Sequence, residues 1–187
     1  FATEKSVLAG SFTDFDAKIS TERNIGKLRK YQSQELEKYH TTKNVYYLYN
    51  SKYIEAVIAG INNNINERIR ILCWISEQGK NSNSLQITWV NYHVAAMLTF
   101  VNAPALSQEY SFKVLNSAKE NGFNALLPLS YGSIGSNYYK EKKFNLAIKY
   151  YTYSLEINKK ISQLQTASMY NNIALCNMNL NNNKKAY

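Results

Sequence analysis

The chain has 187 residues, 45% apolar and 19% charged, a formal net charge of +9, and no apolar run near the about 18 residues a membrane helix needs. Only 7 Gly and 2 Pro occur, which excludes long turn-rich or disordered segments and favours uninterrupted helices. Cys73 and Cys176 lack C-x-x-C spacing, which argues against a zinc or redox motif; their apolar neighbours in RILCWI and NIALCNM predict buried, reduced thiols.

Residues 13 to 40 predict an opening helix or helix pair. In TERNIGKLRKYQSQELEKYH, Ile25, Leu28, Tyr31, Glu35/Leu36 and Tyr39 fall near one face, and Thr21 is the candidate cap. Turn signals then recur about every 40 residues: GINNNIN around Asn62, VNAP around Asn102, KEKK around Lys142 and NLNNNKK around Asn182. A second set lies between them, at EQGKNSNS (77–84), ENGF (120–123) and INKKIS (157–162). Together they cut the chain into segments of roughly 15 to 18 residues, each a helix of about 25 Å. Within the segments the apolar period is helical. Ile69, Leu72 and Cys73 share a face with Ser76, and Phe144, Ala147, Ile148, Tyr151 and Leu155 follow the i, i+3, i+4 pattern. Pro104 and Pro128 stand near expected helix starts, where a missing N–H does little harm. Two-residue alternation is not sustained anywhere, so the prediction is all-α.

Small residues recur in register. Ala56, Ala96, Gly135 and Ala174 are 40, 39 and 39 residues apart, each in the first helix of a pair, where a small side chain lets the second helix approach.

The stretch SNYYKEKKFNLAIKYYTYSLEI resembles the tetratricopeptide repeat. Ile134-Gly135 stand at that family's Leu-Gly pair, Tyr138-Tyr139 at its first aromatic, Phe144 after the turn, Ala147 at its small position and Tyr151 at the later aromatic. The pattern restarts with Ile173-Ala174 and reaches its next small position at Ala186. The pairs near 43–79 and 84–120 match in length and in Ala56 and Ala96, with Glu55 where Leu is usual. The resemblance implies an all-α, right-handed superhelical array of antiparallel helix hairpins. It would comprise a capping region over 1–41 and repeats over about 42–80, 81–121, 122–160 and 161–187. The last is expected to be incomplete, since Tyr187 falls early in a second helix, and the chain to be a portion of a longer protein. A period of about 39 exceeds the family's usual 34 and implies longer helices. Long, Tyr- and Asn-rich repeats of this kind are similar to those in sensory or regulatory proteins of some bacteria, where they often precede a membrane helix and an output domain.

Chemistry of catalysis is sparse. His40 and His93 are the only histidines, and no H-E-x-x-H occurs. YGSIGSN departs from G-x-G-x-x-G, and GSIGS from G-x-S-x-G. The expectation is therefore a protein that is not an enzyme and uses no metal or cofactor. The resemblance instead implies a concave groove for a peptide or a partner's helix. Its matching positions are Gly132, Ser136, Tyr139 and Lys140 in one repeat, and Asn171, Leu175 and Met178 in the next. Tyr92 and His93 join them as groove candidates, although a part-buried helix position also explains His93. Asn172 stands where some family members hold a peptide carboxylate; the Lys and Arg of that clamp have no counterparts at matching places.

Lys and Arg are absent from 81–112, and eight Lys against two Glu lie between Lys140 and Tyr187. A solvated basic surface is the simplest reading, but the charge also suits an acidic protein or peptide. The expected function is a non-catalytic scaffold for protein or peptide binding, within a bacterial regulator. Two alternatives stand beside it: a nucleic-acid-associated regulator with Lys140, Lys142, Lys143, Lys149, Lys184 and Lys185 on one face, and a dimerisation module. Reduced cysteines favour the cytoplasm, with the periplasm open if a leader was removed.

Overall fold

The computed structural model describes the backbone of residues 2–82, 84–159 and 163–185 and the side chains of 12–82, 84–159 and 166–181. All regular structure among the described residues is helical. In chain order the helices are α1 (Ala2–Thr21), α2 (Ile25–Thr42), α3 (Val45–Ile61), α4 (Ile65–Gln78), α5 (Leu85–Phe100), α6 (Pro104–Asn121), α7 (Leu126–Lys140), α8 (Phe144–Asn158) and α9 (Gln163–Lys185). The chain divides inside α5, between Val90 and Asn91, into two compact units.

In the first unit α2 packs on α3 and α3 on α4, and α1 touches α3. Its core gathers Phe12 and Ile19 from α1, Leu28 from α2, Tyr53, Ile54 and Ala56 from α3, and Ile71, Leu72 and Ile75 from α4. Each buried Leu, Ile or Phe side chain contributes about 1.5–3 kcal/mol relative to exposure. The edge of the Phe12 ring meets Tyr53, with centroids 5.9 Å apart. Polar groups also enter this core as a connected chain. Lys38 donates to Glu35 (2.6 Å), Asn50 donates to the other Glu35 oxygen (2.6 Å), and Gln86 donates to Asn50 Oδ1 (2.7 Å). Because each buried partner is satisfied by the next, the network avoids the penalty of an orphaned donor or acceptor.

In the second unit α6 packs on α7, α7 on α8 and α8 on α9. Phe144, Ala147 and Tyr151 of α8 form a buried cluster with Cys176 of α9, ringed by Tyr138, Tyr139, Ile148, Met169, Ile173 and Leu180. The α8 stripe read from the sequence is thus the packed face of that helix. Both cysteines are free, and burial pushes the Cys176 thiol up from its ordinary pKa.

One turn recurs. Asn63, Asn102 and Lys142, 39 and 40 residues apart, each adopt the left-handed conformation (φ 57°, 60° and 59°) between α3 and α4, α5 and α6, and α7 and α8. The next residue in each turn donates its N–H to a carbonyl five residues back: Asn64 to Ala59 (2.8 Å), Ala103 to Leu98 (2.8 Å) and Lys143 to Tyr138 (2.9 Å). This closure satisfies helix-end carbonyls that would otherwise lack partners. Identical closure at a fixed interval makes the all-α fold helical-repeat-like. It also explains why the turn signals were Asn- and Lys-rich rather than Gly-rich, since Asn tolerates this conformation better than most side chains.

Four expectations are corrected. Thr21 does not cap α2: its hydroxyl donates back to the Ala17 carbonyl, and Asn24 Oδ1 accepts the Lys27 N–H instead (3.0 Å). The buried stripe of α4 is Ile71, Leu72, Ile75 and Ser76, so Ile69 and Cys73 sit half-buried at its margins. The small-residue register holds at Ala56 and Gly135, but in α5 the fully buried residue is Ala95, not Ala96, and Ala174 is exposed. The α5 shift follows from its buried residues Val90, Val94, Ala95 and Leu98, which set which side faces inward. No turn forms at Asn182, because α9 runs on to Lys185; Asn is only mildly unfavourable inside a helix, and no Gly or Pro interrupts the run. Ala186 and Tyr187, and the side chains of Lys184 and Lys185, lie outside the described residues.

Candidate binding cleft

The first helices of successive pairs are joined by side chains one repeat apart. In the first unit the link is Gln86 of α5 to Asn50 of α3. In the second unit Thr99 of α5 donates to Asn137 Oδ1 of α7 (3.1 Å), and Asn179 of α9 donates to the Tyr139 hydroxyl of α7 (3.3 Å). Asn137, fully buried, also donates to Ser107 of α6 (2.9 Å), whose hydroxyl donates to the Ala95 carbonyl (2.9 Å). The Lys140 ammonium donates to the Thr99 carbonyl near the end of α5.

Held this way, the second unit leaves a cleft of about 420 Å³. Tyr92, Ala96 and Thr99 of α5 line it, spaced i, i+4, i+7 along one helix face. Pro128, Gly132 and Ser136 of α7 oppose them at i, i+4, i+8, with Ser154 and Asn158 of α8 and Met169 and Asn172 of α9 closing the sides. The space exists because the lining is small: a methyl on Gly132 would meet its nearest atoms, Ser154 Oγ and Met169 Cε, only at 3.7 Å. Among the described residues no charged side chain lines the cleft. Its chemistry is that of hydroxyls and carboxamides, which donate to and accept from a neutral polar ligand.

Several of these groups are already oriented. Ser136 donates to the Gly132 carbonyl (3.0 Å) and accepts from the Tyr151 hydroxyl (3.2 Å). Burial, the larger effect, raises the Tyr151 pKa, and the bond to Ser136 opposes it. Ser154 donates to the Pro128 carbonyl (2.8 Å) and accepts from Asn158 (3.3 Å). Asn158 is only 2% exposed, and its Oδ1 is a buried acceptor with no hydrogen-bond partner among the described residues.

Of the residues named from the sequence, Tyr92, Gly132, Ser136 and Asn172 come together in this cleft. The His93 ring lies 5.6 Å from that of Tyr92, on a half-buried position outside the lining. Tyr139 turns its ring edge to Phe144 (5.6 Å) and packs on the cluster beneath α9, and Lys140 is occupied at the Thr99 carbonyl. Asn171 and Leu175 are exposed on α9, as is Met178. Sequence reasoning missed Thr99, Ser154, Asn158 and Met169. For Ser154 and Asn158 a signal existed: they continue the buried stripe of Ala147 and Tyr151 on α8, and polar residues in such a stripe mark an interior polar site.

A different surface of this unit is aromatic and basic. Tyr150 of α8 stacks on Tyr138 (5.4 Å) and meets Phe112 (6.3 Å), Tyr131 (6.3 Å) and Tyr153 (6.0 Å). Lys119, Lys143 and Lys149 stand over Tyr131, Tyr138 and Tyr153 at 5.7, 5.9 and 6.0 Å. Burial and then the neighbouring tyrosines raise the Tyr150 pKa. The lysine face expected from the sequence is therefore divided: Lys143 and Lys149 join the aromatic group, while Lys140 does not.

No family model matches the chain. No curated protein matches it. Among solved structures, the crystal structure of BtubC (BKLC) from P. vanneervenii is similar, with a TM-score of 0.74 and 12% identity over 99% of this chain and 79% of that one. At that identity the likeness is one of fold alone. No helix among the described residues is long and apolar enough to cross a membrane.

Proposed function

We propose that this chain is a non-catalytic tetratricopeptide-like scaffold that binds an extended peptide segment of a partner protein, as the regulatory part of a larger bacterial protein. The observation that carries this reading is the cleft of the second unit, lined from α5, α7, α8 and α9 mostly by small and neutral hydrogen-bonding side chains. Such a lining suits a peptide backbone, which offers one donor and one acceptor per residue. The repeat assignment draws support from the burial of Ile134, Gly135, Ala147 and Tyr151, which occupy that family's pattern, and from the recurring turn. The described lining is uncharged, which confines any preference for acidic partners to long-range attraction by the net charge of +9. The test is selection from a displayed library of random linear peptides, followed by titration of the winners. Gly132→Leu, which fills the cleft, should weaken them at least about tenfold, roughly 1.4 kcal/mol. Selected peptides indifferent to Gly132→Leu and to Asn172→Ala would remove the cleft from consideration.

A second reading is favoured by the Tyr131/Tyr138/Tyr150/Tyr153 group, with Lys119, Lys143 and Lys149 over the rings of Tyr131, Tyr138 and Tyr153. Stacked aromatics beside lysines are how single-stranded nucleic acid is held without sequence preference. It predicts binding to random single-stranded DNA that falls steeply with salt and is weakened by Tyr153→Ala. Absence of binding at low salt sinks it.

A further inference from the structure

We propose that the first unit carries a separate site for a small organic oxyanion, a carboxylate or a phosphate group, between α1, α3 and α4, with Arg68 and Arg23 as its cationic arms. A cavity of about 370 Å³ lies there, lined by Ser20 and Arg23, by Val57, Gly60 and Ile61 of α3, and by Arg68 of α4. Two guanidinium groups line it and, among the described residues, no carboxylate does.

Neither arginine has an ion pair among the described residues. Arg70, two positions along α4, shows the ordinary arrangement: its Nε and Nη2 donate to the two oxygens of Glu67 at 2.7 and 2.6 Å. Arg68 is half-buried, and its Nε is a buried donor with no acceptor among the described residues. A guanidinium partly removed from water is ordinarily paired, because desolvating a charge is unfavourable unless an opposite charge answers it. Gly60 makes room for it, since a Cβ there would fall 2.8 Å from Arg68 Nη1. Arg23 is oriented by its Nη1, which donates to the Ser20 carbonyl (2.7 Å) and the Glu22 carbonyl (3.2 Å).

The acidic groups nearby are engaged. Asp16 accepts from the Tyr53 hydroxyl, and the Arg68 charge is felt at Tyr53. Glu22 accepts the N–H groups of Arg23 (2.9 Å) and Asn24 (2.8 Å) and faces Lys27 at 3.7 Å. What completes the site is an external oxyanion, for which the planar arginine fork is geometrically matched. Val57 and Ile61 add an apolar wall, so the ligand class is an organic acid or phosphate monoester with a short hydrocarbon part. The cavity volume lies near the lower end, about 300 Å³, of small-molecule sites.

The experiment is a backbone amide NMR titration of the whole chain with inorganic phosphate and, separately, with butyrate, against sodium chloride at matched ionic strength. We expect saturable shifts centred on Ser20, Gly60 and Arg68 with at least one oxyanion and not with chloride; which one saturates at lower concentration identifies the group. Arg68→Gln should weaken that binding at least tenfold, with Arg68→Lys weakening it less. Arg23 is exposed, so its replacement leaves the core intact, and Arg23→Gln should also weaken binding. Non-saturating shifts equal to those from chloride, or binding unchanged in both glutamine variants, overturn the proposal.

Discussion

Two glycines three residues apart in α7 should respond oppositely to the same substitution. A Cβ on Gly135 would lie 2.7 and 2.8 Å from Cδ1 and Cε1 of Tyr151. That ring is 3% exposed and its hydroxyl is tied to Ser136, so it has no free direction in which to swing. Overpacking of this kind costs about 1–3 kcal/mol, while replacing helical Gly by Ala returns about 1 kcal/mol. Gly135→Ala should therefore lose up to about 2 kcal/mol. At Gly132 the nearest atoms to a new methyl are at 3.7 Å, an ordinary contact. There only the helix gain remains, and Gly132→Ala should gain about 0.5–1 kcal/mol. The assay is urea unfolding followed by far-UV circular dichroism, with an unchanged m-value as the check that the two states are the same. Adding Tyr151→Leu to Gly135→Ala should recover part of the loss, a coupling expected only of residues in contact. Gly135→Ala stabilised as much as Gly132→Ala, or Gly132→Ala as damaging as its neighbour, would refute the packing argument. The same Gly132 methyl also narrows the cleft, so this variant should be stabler and yet bind selected peptides less well.

Three further outcomes follow from other parts of the molecule. Asn24→Ala should lower stability by about 1 kcal/mol in chemical denaturation, whereas Thr21→Ala should stay within about 0.5 kcal/mol of the parent, because Asn24 is the cap. Asn137→Ala, which strips partners from Thr99 and Ser107 at a fully buried position, should lose about 2–3 kcal/mol by the same measurement. Burial first, then the charge and hydrogen bond of Asp16, hold the Tyr53 pKa well above the ordinary tyrosine value. Its folded pKa thus exceeds its unfolded one, so its contribution is whole below about pH 10 and drains away as pH rises past that value. Unfolding free energies measured across the alkaline range should show this decline in the parent and less of it in Tyr53→Phe.

The fold was largely legible because helices announce themselves twice, in apolar period and in the breaks between them. The signals at Asn62, Asn102 and Lys142 fall on three closures of one geometry, and the α8 stripe from Phe144 to Leu155 is the packed face. Legibility failed where a position has two explanations. Thr21 and Asn24 are both acceptable caps, and only the path of the chain after α1 decides that Asn24 accepts the N–H. The Asn-rich run around Asn182 looks like the earlier turn signals, yet Asn marks a turn only when the backbone around it is free to leave the helix.

Asparagine explains most of what the sequence concealed about the site. It caps helices at Asn24, Asn44 and Asn64, takes the left-handed turn position at Asn63 and Asn102, and enters the interior at Asn50, Asn137 and Asn158. One composition thus serves three physical roles, and only burial separates them. The interior role bears on binding. A carboxamide that bridges two first helices has two donors and an acceptor with two lone pairs, so it specifies how those helices meet more tightly than an apolar contact of equal size. Asn137 spends both ends on protein partners, Thr99 and Ser107, and lies outside the cleft lining. Asn158 spends only its amide, on Ser154, and borders the cleft with an unanswered carbonyl. The cleft itself is made by what is missing from the lining, the side-chain volume at Gly132, Ser136 and Ser154. Absent volume has no period, charge or motif to be read along a chain, which is why only four of the ten residues expected there converge.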